Sequence, residues 1–127
     1  MALTKVPQSV TTAGRVCAYL TTTEHAEGPA TVLVLRGEAD SSTTPVLSDA
    51  LTRVLVSRTG DVVIDLAGIE FMDTVTGRTL AVARQLLDLR DRRLTFRSPS
   101  RLAARVLDLF GLSYLIEAGE SVSCASE

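Results

Sequence analysis

Two short apolar runs, Thr31-Val-Leu-Val-Leu35 and Val62-Val-Ile-Asp-Leu66, are each followed by a stretch whose apolar residues recur every three or four positions. This alternation constrains the fold more than any other feature of the chain. A β-branched, nearly continuous apolar run, bounded by glycine and charge, is the pattern of a strand buried on both faces. The three-and-four spacing is the pattern of a helix with one apolar stripe. Strands and helices in alternation give an α/β fold, a mostly parallel or mixed sheet with helices packed against it.

Along the chain the order reads β-β-α-β-α-β-α-β, about five strands and three helices in a single domain. Val16–Leu20 is a short first strand, and Thr21–Pro29 a polar connection. The strand that opens at Thr31 ends at Arg36-Gly37-Glu38-Ala39-Asp40, where glycine and charges break the pattern. Ser41 or Ser42 caps the first helix, with Pro45 tolerated in its opening turn. Val46, Leu47, Ala50, Leu51, Val54 and Leu55 form its stripe, and Thr59-Gly60-Asp61 stops it. After the second apolar run, Ala67-Gly68 begins a loop anchored to the core by Ile69, Phe71 and Met72.

From Thr74 the period is helical again. Val75, Thr79, Val82, Leu86 and Leu89 line one face, with Leu80, Ala83 and Leu87 beside it. Leu94-Thr-Phe96 is a strand. Ser98-Pro99 caps and opens a third helix whose Leu102, Ala103, Val106, Leu109 and Phe110 pack inward, and Gly111 takes the position just past its end. Tyr114–Ile116 is the last strand. Residues 1–14 read as a flexible leader, 15–118 as the domain and 119–127 as a polar tail.

The reactive inventory is thin. His25 and Lys5 are the only residues of their kinds, and Cys17 and Cys124 fit neither a metal knuckle nor a CxxC pair. No nucleophile–base pair, metal site or phosphate-binding glycine loop can be assembled from this set, so neither an enzyme nor a cofactor is expected. A formal net charge of −2 argues against a protein that coats nucleic acid. Arg90, Arg92, Arg93, Arg97, Arg101 and Arg105 make one stretch locally basic, and a solvated face is its expected role. No apolar run reaches the ~20 residues of a membrane helix. Met1–Val10 lacks the apolar block of a secretory signal, so the expected compartment is the cytoplasm.

The most distinctive segment runs from Val62 to Gly77: a buried strand, an anchored loop, Asp73, two threonines and the start of a helix. Its plainest reading is helix capping by Asp73 or Thr74, worth about 0.5–2 kcal/mol. The strand, Phe71-Met72-Asp73, the short hydroxyl-bearing run and the long amphipathic helix together resemble the signature of STAS domains, and most strongly the bacterial anti-sigma factor antagonists. Arg36-Gly37-Glu38-Ala39-Asp40 resembles that family's Gly-Glu-Leu-Asp turn after the second strand. Ser98-Pro99, followed by a helix ending Leu109-Phe110-Gly111-Leu112, is similar to its penultimate segment. The three matches keep their order and spacing over residues 15–118.

The resemblance implies a protein-binding switch. In that family the antagonist binds an anti-sigma factor, a serine/threonine kinase of the GHKL type, and so releases a sigma factor; the kinase reverses this by phosphorylating the antagonist. The implied partner surface is Asp73, Thr74, Val75, Thr76, Gly77 and Arg78 at the helix start, with Glu38, Asp40 and Ser41 at the preceding turn. Weak self-association is admitted; direct membrane or nucleic-acid contact is not expected. The family's usual run places its acceptor hydroxyl two residues after the aspartate. A gapless match puts Val75 there and Thr76 where glycine is usual, whereas a one-residue insertion aligns Thr76-Gly77 with the acceptor–glycine pair. Thr76 and Thr74 are therefore the phosphorylation candidates. The alternative is a STAS subunit docked on a membrane transporter or another regulatory protein without phosphorylation.

Overall fold

The computed structural model describes residues 19–117. The expected leader, the polar tail, Lys5, both cysteines and residues 16–18 of the expected first strand lie outside them. Four strands form one mixed sheet in the order β1-β2-β3-β4: β1 Leu20–Glu27, β2 Ala30–Ala39, β3 Val62–Met72 and β4 Leu94–Arg97. β1 and β2 are an antiparallel hairpin; β2–β3 and β3–β4 are parallel. The helices are α1 Thr44–Ser57, α2 Thr74–Asp88 and α3 Arg101–Leu109. The core lies between the helices and one sheet face, where Leu33, Leu35, Ile64, Leu66 and Phe96 meet Leu47, Leu80, Leu87 and Leu107.

Among the described residues the sheet has four strands, where about five were expected. Tyr114–Ile116 is not a strand: Ser113–Leu115 makes one 3-10 turn, and only an isolated parallel bridge, Phe96 to Ile116, adds to the sheet. The stretch from Thr21, expected as a connection, is most of β1. It is polar because an edge strand needs little apolar burial, and its threonines favour extended backbone. Gly28-Pro29 forms the two-residue hairpin turn, with Gly28 at φ +62°.

β2 and β3 both run further than the apolar pattern suggests. β2 continues through Gly37 to Ala39, with irregular register against β3. Gly37 sits at φ +113°, and a Cβ there would lie 2.3 Å from the Tyr19 carbonyl. Ala67–Met72, expected as a loop, is the second half of β3. There Ile69 and Met72 are buried, while Phe71 is 44% exposed instead of anchoring the core.

Helix ends shift likewise. The α1 N-cap position is Thr43, neither Ser41 nor Ser42, and α3 is capped by Ser100, whose Oγ accepts from Ala103 N–H (3.1 Å). Leu102 and Leu109 of α3 face solvent instead of packing inward. Gly111 follows α3 at φ +72°, where Leu112 N–H donates back to the Leu107 carbonyl (2.9 Å), as expected of a residue just past a helix end. On α2 the buried residues are Thr76, Gly77, Leu80, Ala83 and Leu87.

Arg92 and Arg97 depart from the solvated face expected of the basic stretch. Arg92 is buried, and its guanidinium donates to the carbonyls of Gly60 (2.7 Å), Leu55 (3.2 Å) and Val54 (3.4 Å), closing the C-terminal end of α1. Arg97 lies on the sheet face opposite Phe96 and pairs with Glu27 of β1 and Glu117 (both 2.8 Å). Hydrogen bonding from Arg97 holds the Glu27 carboxyl below its ordinary 4.5. A depressed carboxyl contributes stability that is present above the unfolded-state value and lost as pH falls through the folded one. Urea unfolding followed from about pH 7 to pH 3 should therefore show acid destabilisation below 4.5 that is shallower in Arg97→Leu. Equal slopes in the two proteins would count against this pair.

Candidate functional site

The parallel pairing of β2 and β3 places their carboxyl ends side by side, Ala39 opposite Met72. Crevices at the carboxyl ends of parallel strands are where α/β sheets expose the loops that carry function. Here two loops meet, the turn into α1 and the start of α2, and a single carboxylate joins them. Asp73 N–H donates to the Ala39 carbonyl (3.1 Å). Its Oδ1 accepts from Thr76 N–H (3.0 Å), capping α2, and its Oδ2 accepts from Ser41 N–H (3.1 Å). One side chain thus satisfies the helix end and fixes the neighbouring turn.

That turn is built on Asp40. Its Oδ1 accepts from Ser42 N–H (2.8 Å), Ser42 Oγ (2.6 Å) and Thr43 N–H (3.3 Å), an Asx arrangement that makes serine capping of α1 unnecessary. Thr43, buried, donates its hydroxyl to the Glu38 carbonyl (2.9 Å) and accepts from Asp40 N–H (3.0 Å). The β2–α1 corner is therefore stiff, and it presents Ser41 outward.

The nine residues singled out from the sequence separate into two groups. Ser41, Thr74, Val75 and Arg78 are exposed, and Glu38, Asp40 and Asp73 are half-buried around them. Thr76 and Gly77 are buried. A Cβ on Gly77 would come within 2.6 Å of the Phe110 ring and 2.8 Å of Val106, so the glycine lets the first turn of α2 lie against α3. Thr76 is fully enclosed, and its Oγ1 has no hydrogen-bond partner among the described residues. That hydroxyl is enclosed in this conformation, whereas Thr74 is exposed at the first helical position.

An unsatisfied buried hydroxyl is costly, and valine has nearly the same shape. Thr76→Val should raise the unfolding free energy by about 1 kcal/mol. Thermal unfolding checks this; a destabilised variant would mean that the hydroxyl has a partner in solution.

Phe71 belongs to this site and was missed from sequence, where it was assigned to the core. It lies in register with Glu38 and is partly exposed two residues before Asp73. The signal was its alternation with the buried Met72. An exposed aromatic beside a rigid polar corner is the composition of an interface anchor. Among the described residues, no group of three or more His, Cys, Asp or Glu is placed to hold a metal ion, and no helix is long and apolar enough to cross a membrane.

A family model described as Mlab, STAS domain, matches residues 22–117. An anti-sigma factor antagonist from Mycobacterium paratuberculosis superposes with a TM-score of 0.70 at 24% identity, over 84% of this chain and 92% of that one. The anti-sigma factor antagonist SpoIIAA in its unphosphorylated form superposes at 0.67 with 17% identity, over 82% and 93% of the two chains. The Bacillus cell fate determinant SpoIIAA in the phosphorylated form superposes at 0.63 with 16% identity, over 84% and 98%. At these identities the structural likenesses establish the fold. No curated protein matches the chain in sequence.

Proposed function

This chain belongs to the STAS domain family, and from that premise we propose that it is an anti-sigma factor antagonist. It binds an anti-sigma factor, a serine/threonine kinase of the GHKL type, through the corner where the β2–α1 turn meets α2, and so frees a sigma factor. The observation that carries this reading is the double role of the Asp73 carboxylate. It makes Ser41, Thr74 and Val75 one rigid surface instead of two independent loops, and a pre-ordered surface loses little entropy on docking.

Phosphorylation of Thr74 is the switch. A phosphoryl group adds about −1.5 to −2 charges. At the first position of α2 the helix dipole tolerates the anion, so the domain stays folded. The partner does not tolerate it, because docking has to strip water from a charge already adjacent to the Asp73 carboxylate. Binding is lost while the fold is kept.

The test is incubation with GHKL-type anti-sigma factors and ATP, followed by phosphosite mapping and pull-down. Phosphate on Thr74, none on Thr76 and release of the kinase are expected. A tight complex with no phosphate on Thr74 supports the second reading, a STAS subunit that docks on a transporter or other regulatory protein without phosphorylation. Valine at position 75, where a gapless match to the family's usual run places the acceptor, is the observation that favours it.

A further inference from the structure

Helix α2 has two apolar faces. Leu80, Ala83 and Leu87 are in the core. The other row is turned outward: Val75 is 43% exposed, Val82 48%, Leu86 41% and, just past the helix end, Leu89 81%, with the half-buried Thr79 between them, its hydroxyl donating to the Val75 carbonyl. Single exposed apolar residues are ordinary, but an aligned row over about four helical turns is not. The steps along it are four, three, four and three residues, the spacing of a seam along which one helix packs on another.

The rim of this row is cationic. Arg78 and Arg90 are exposed near its two ends, and among the described residues neither guanidinium makes an ion pair or hydrogen bond. The one acidic residue of α2, Asp88, is engaged by Arg84.

We propose that the outer face of α2 is a docking seam for an amphipathic helix of the partner, with an apolar row flanked by Asp or Glu. This deepens the preceding reading, and rests on it, by naming the chemistry of the partner's contact. A second copy of this chain fits less well. Either orientation of α2 against α2 brings Arg78 and Arg90 against arginines of the other copy, with no free acid on the helix to meet them. A lipid surface also fits less well: the row is one residue wide, carries no aromatic ring and has only two arginines beside it, short of the broad apolar face and dense basic flank of an interfacial helix.

The test uses two synthetic helical peptides with the same leucine seam, one flanked by glutamate and one by lysine, titrated into isotope-labelled protein. The glutamate peptide should shift the amide resonances of Val75 to Leu89 and bind about ten-fold more tightly than its lysine twin. Val82→Gln with Leu86→Gln should weaken that binding about ten-fold with an unchanged circular dichroism spectrum. Arg78→Glu with Arg90→Glu should reverse the preference between peptides. Equal binding of the two peptides, no binding, or shifts centred elsewhere overturns the proposal. So does a dimer in sedimentation equilibrium, or co-sedimentation with phosphatidylcholine–phosphatidylglycerol vesicles, that the Val82→Gln/Leu86→Gln change abolishes.

A purified anti-sigma factor separates this inference from the reading beneath it. If Thr74→Glu abolishes binding but Val82→Gln/Leu86→Gln leaves it intact, the seam falls and the antagonist stands. If the glutamate peptide binds as described to a chain that no anti-sigma factor binds, the antagonist reading falls and the seam stands.

Discussion

Replacing Arg92 with methionine lowers the unfolding free energy by about 2–4 kcal/mol, a large share of the roughly 5–15 kcal/mol that holds a domain of this size together. Methionine fills the space of the aliphatic stem but brings no donors. Val54 keeps a backbone donor from Arg58 N–H (3.1 Å), while the Leu55 and Gly60 carbonyls lose the guanidinium contacts at 3.2 and 2.7 Å. These carbonyls are half-buried, so each one left without a partner costs up to about 1–3 kcal/mol, and α1 loses the cation at its negative end. Arg92→Lys recovers part of the loss, because one ammonium cannot span three carbonyls. Urea unfolding followed by circular dichroism measures this, with an unchanged m-value expected. A loss under about 0.5 kcal/mol, the range of an ordinary surface substitution, would mean that the guanidinium is solvated.

On the proposed function, Thr74→Glu should weaken binding of the anti-sigma factor about 100-fold, or roughly 2.7 kcal/mol, without lowering the thermal midpoint. The first turn of α2 accepts a carboxylate well, so stability separates folding from recognition here. Thr74→Val should leave the affinity within about three-fold and abolish the sensitivity to ATP and kinase that the proposal expects. Asp73→Ala acts differently. It removes the α2 cap and the bond to Ser41 N–H together, costing about 1–2 kcal/mol of stability and weakening binding through lost positioning. Calorimetric titration of the three variants distinguishes these effects. Unchanged affinity in Thr74→Glu would remove Thr74 from the interface.

How much of this was legible in the sequence depended on whether a signal was local. The strands at Thr31–Leu35 and Val62–Leu66 were readable because Leu33, Leu35, Ile64 and Leu66 fill the core on one face while Val32 and Val63 are buried on the other, which leaves a nearly continuous apolar run. Asp73 as a cap was readable because the donor it accepts from, Thr76 N–H, lies within one helical turn. β1 was not, since an edge strand contributes little apolar surface and its Thr-rich sequence passes for a loop. The outward extension of β3 hid Phe71, because a run of Ile, Phe and Met signals burial unless its register is known. Arg92 could not be distinguished from its neighbouring arginines, since the carbonyls it closes come from the end of α1 and the loop after it, more than thirty residues earlier. The acceptor ambiguity between Thr74 and Thr76 is likewise a question of helical phase. Only the packing of α2 places one hydroxyl outside and the other within.

The corner around Asp73 is tested most directly by hydrogen exchange on the complex with an anti-sigma factor, compared peptide by peptide with the free protein. Slowed exchange over residues 38–42 and 71–78, with the Glu27–Arg97 face of the sheet unchanged, is the expected footprint. Protection confined to that opposite face, with 71–78 exchanging as in the free chain, contradicts it.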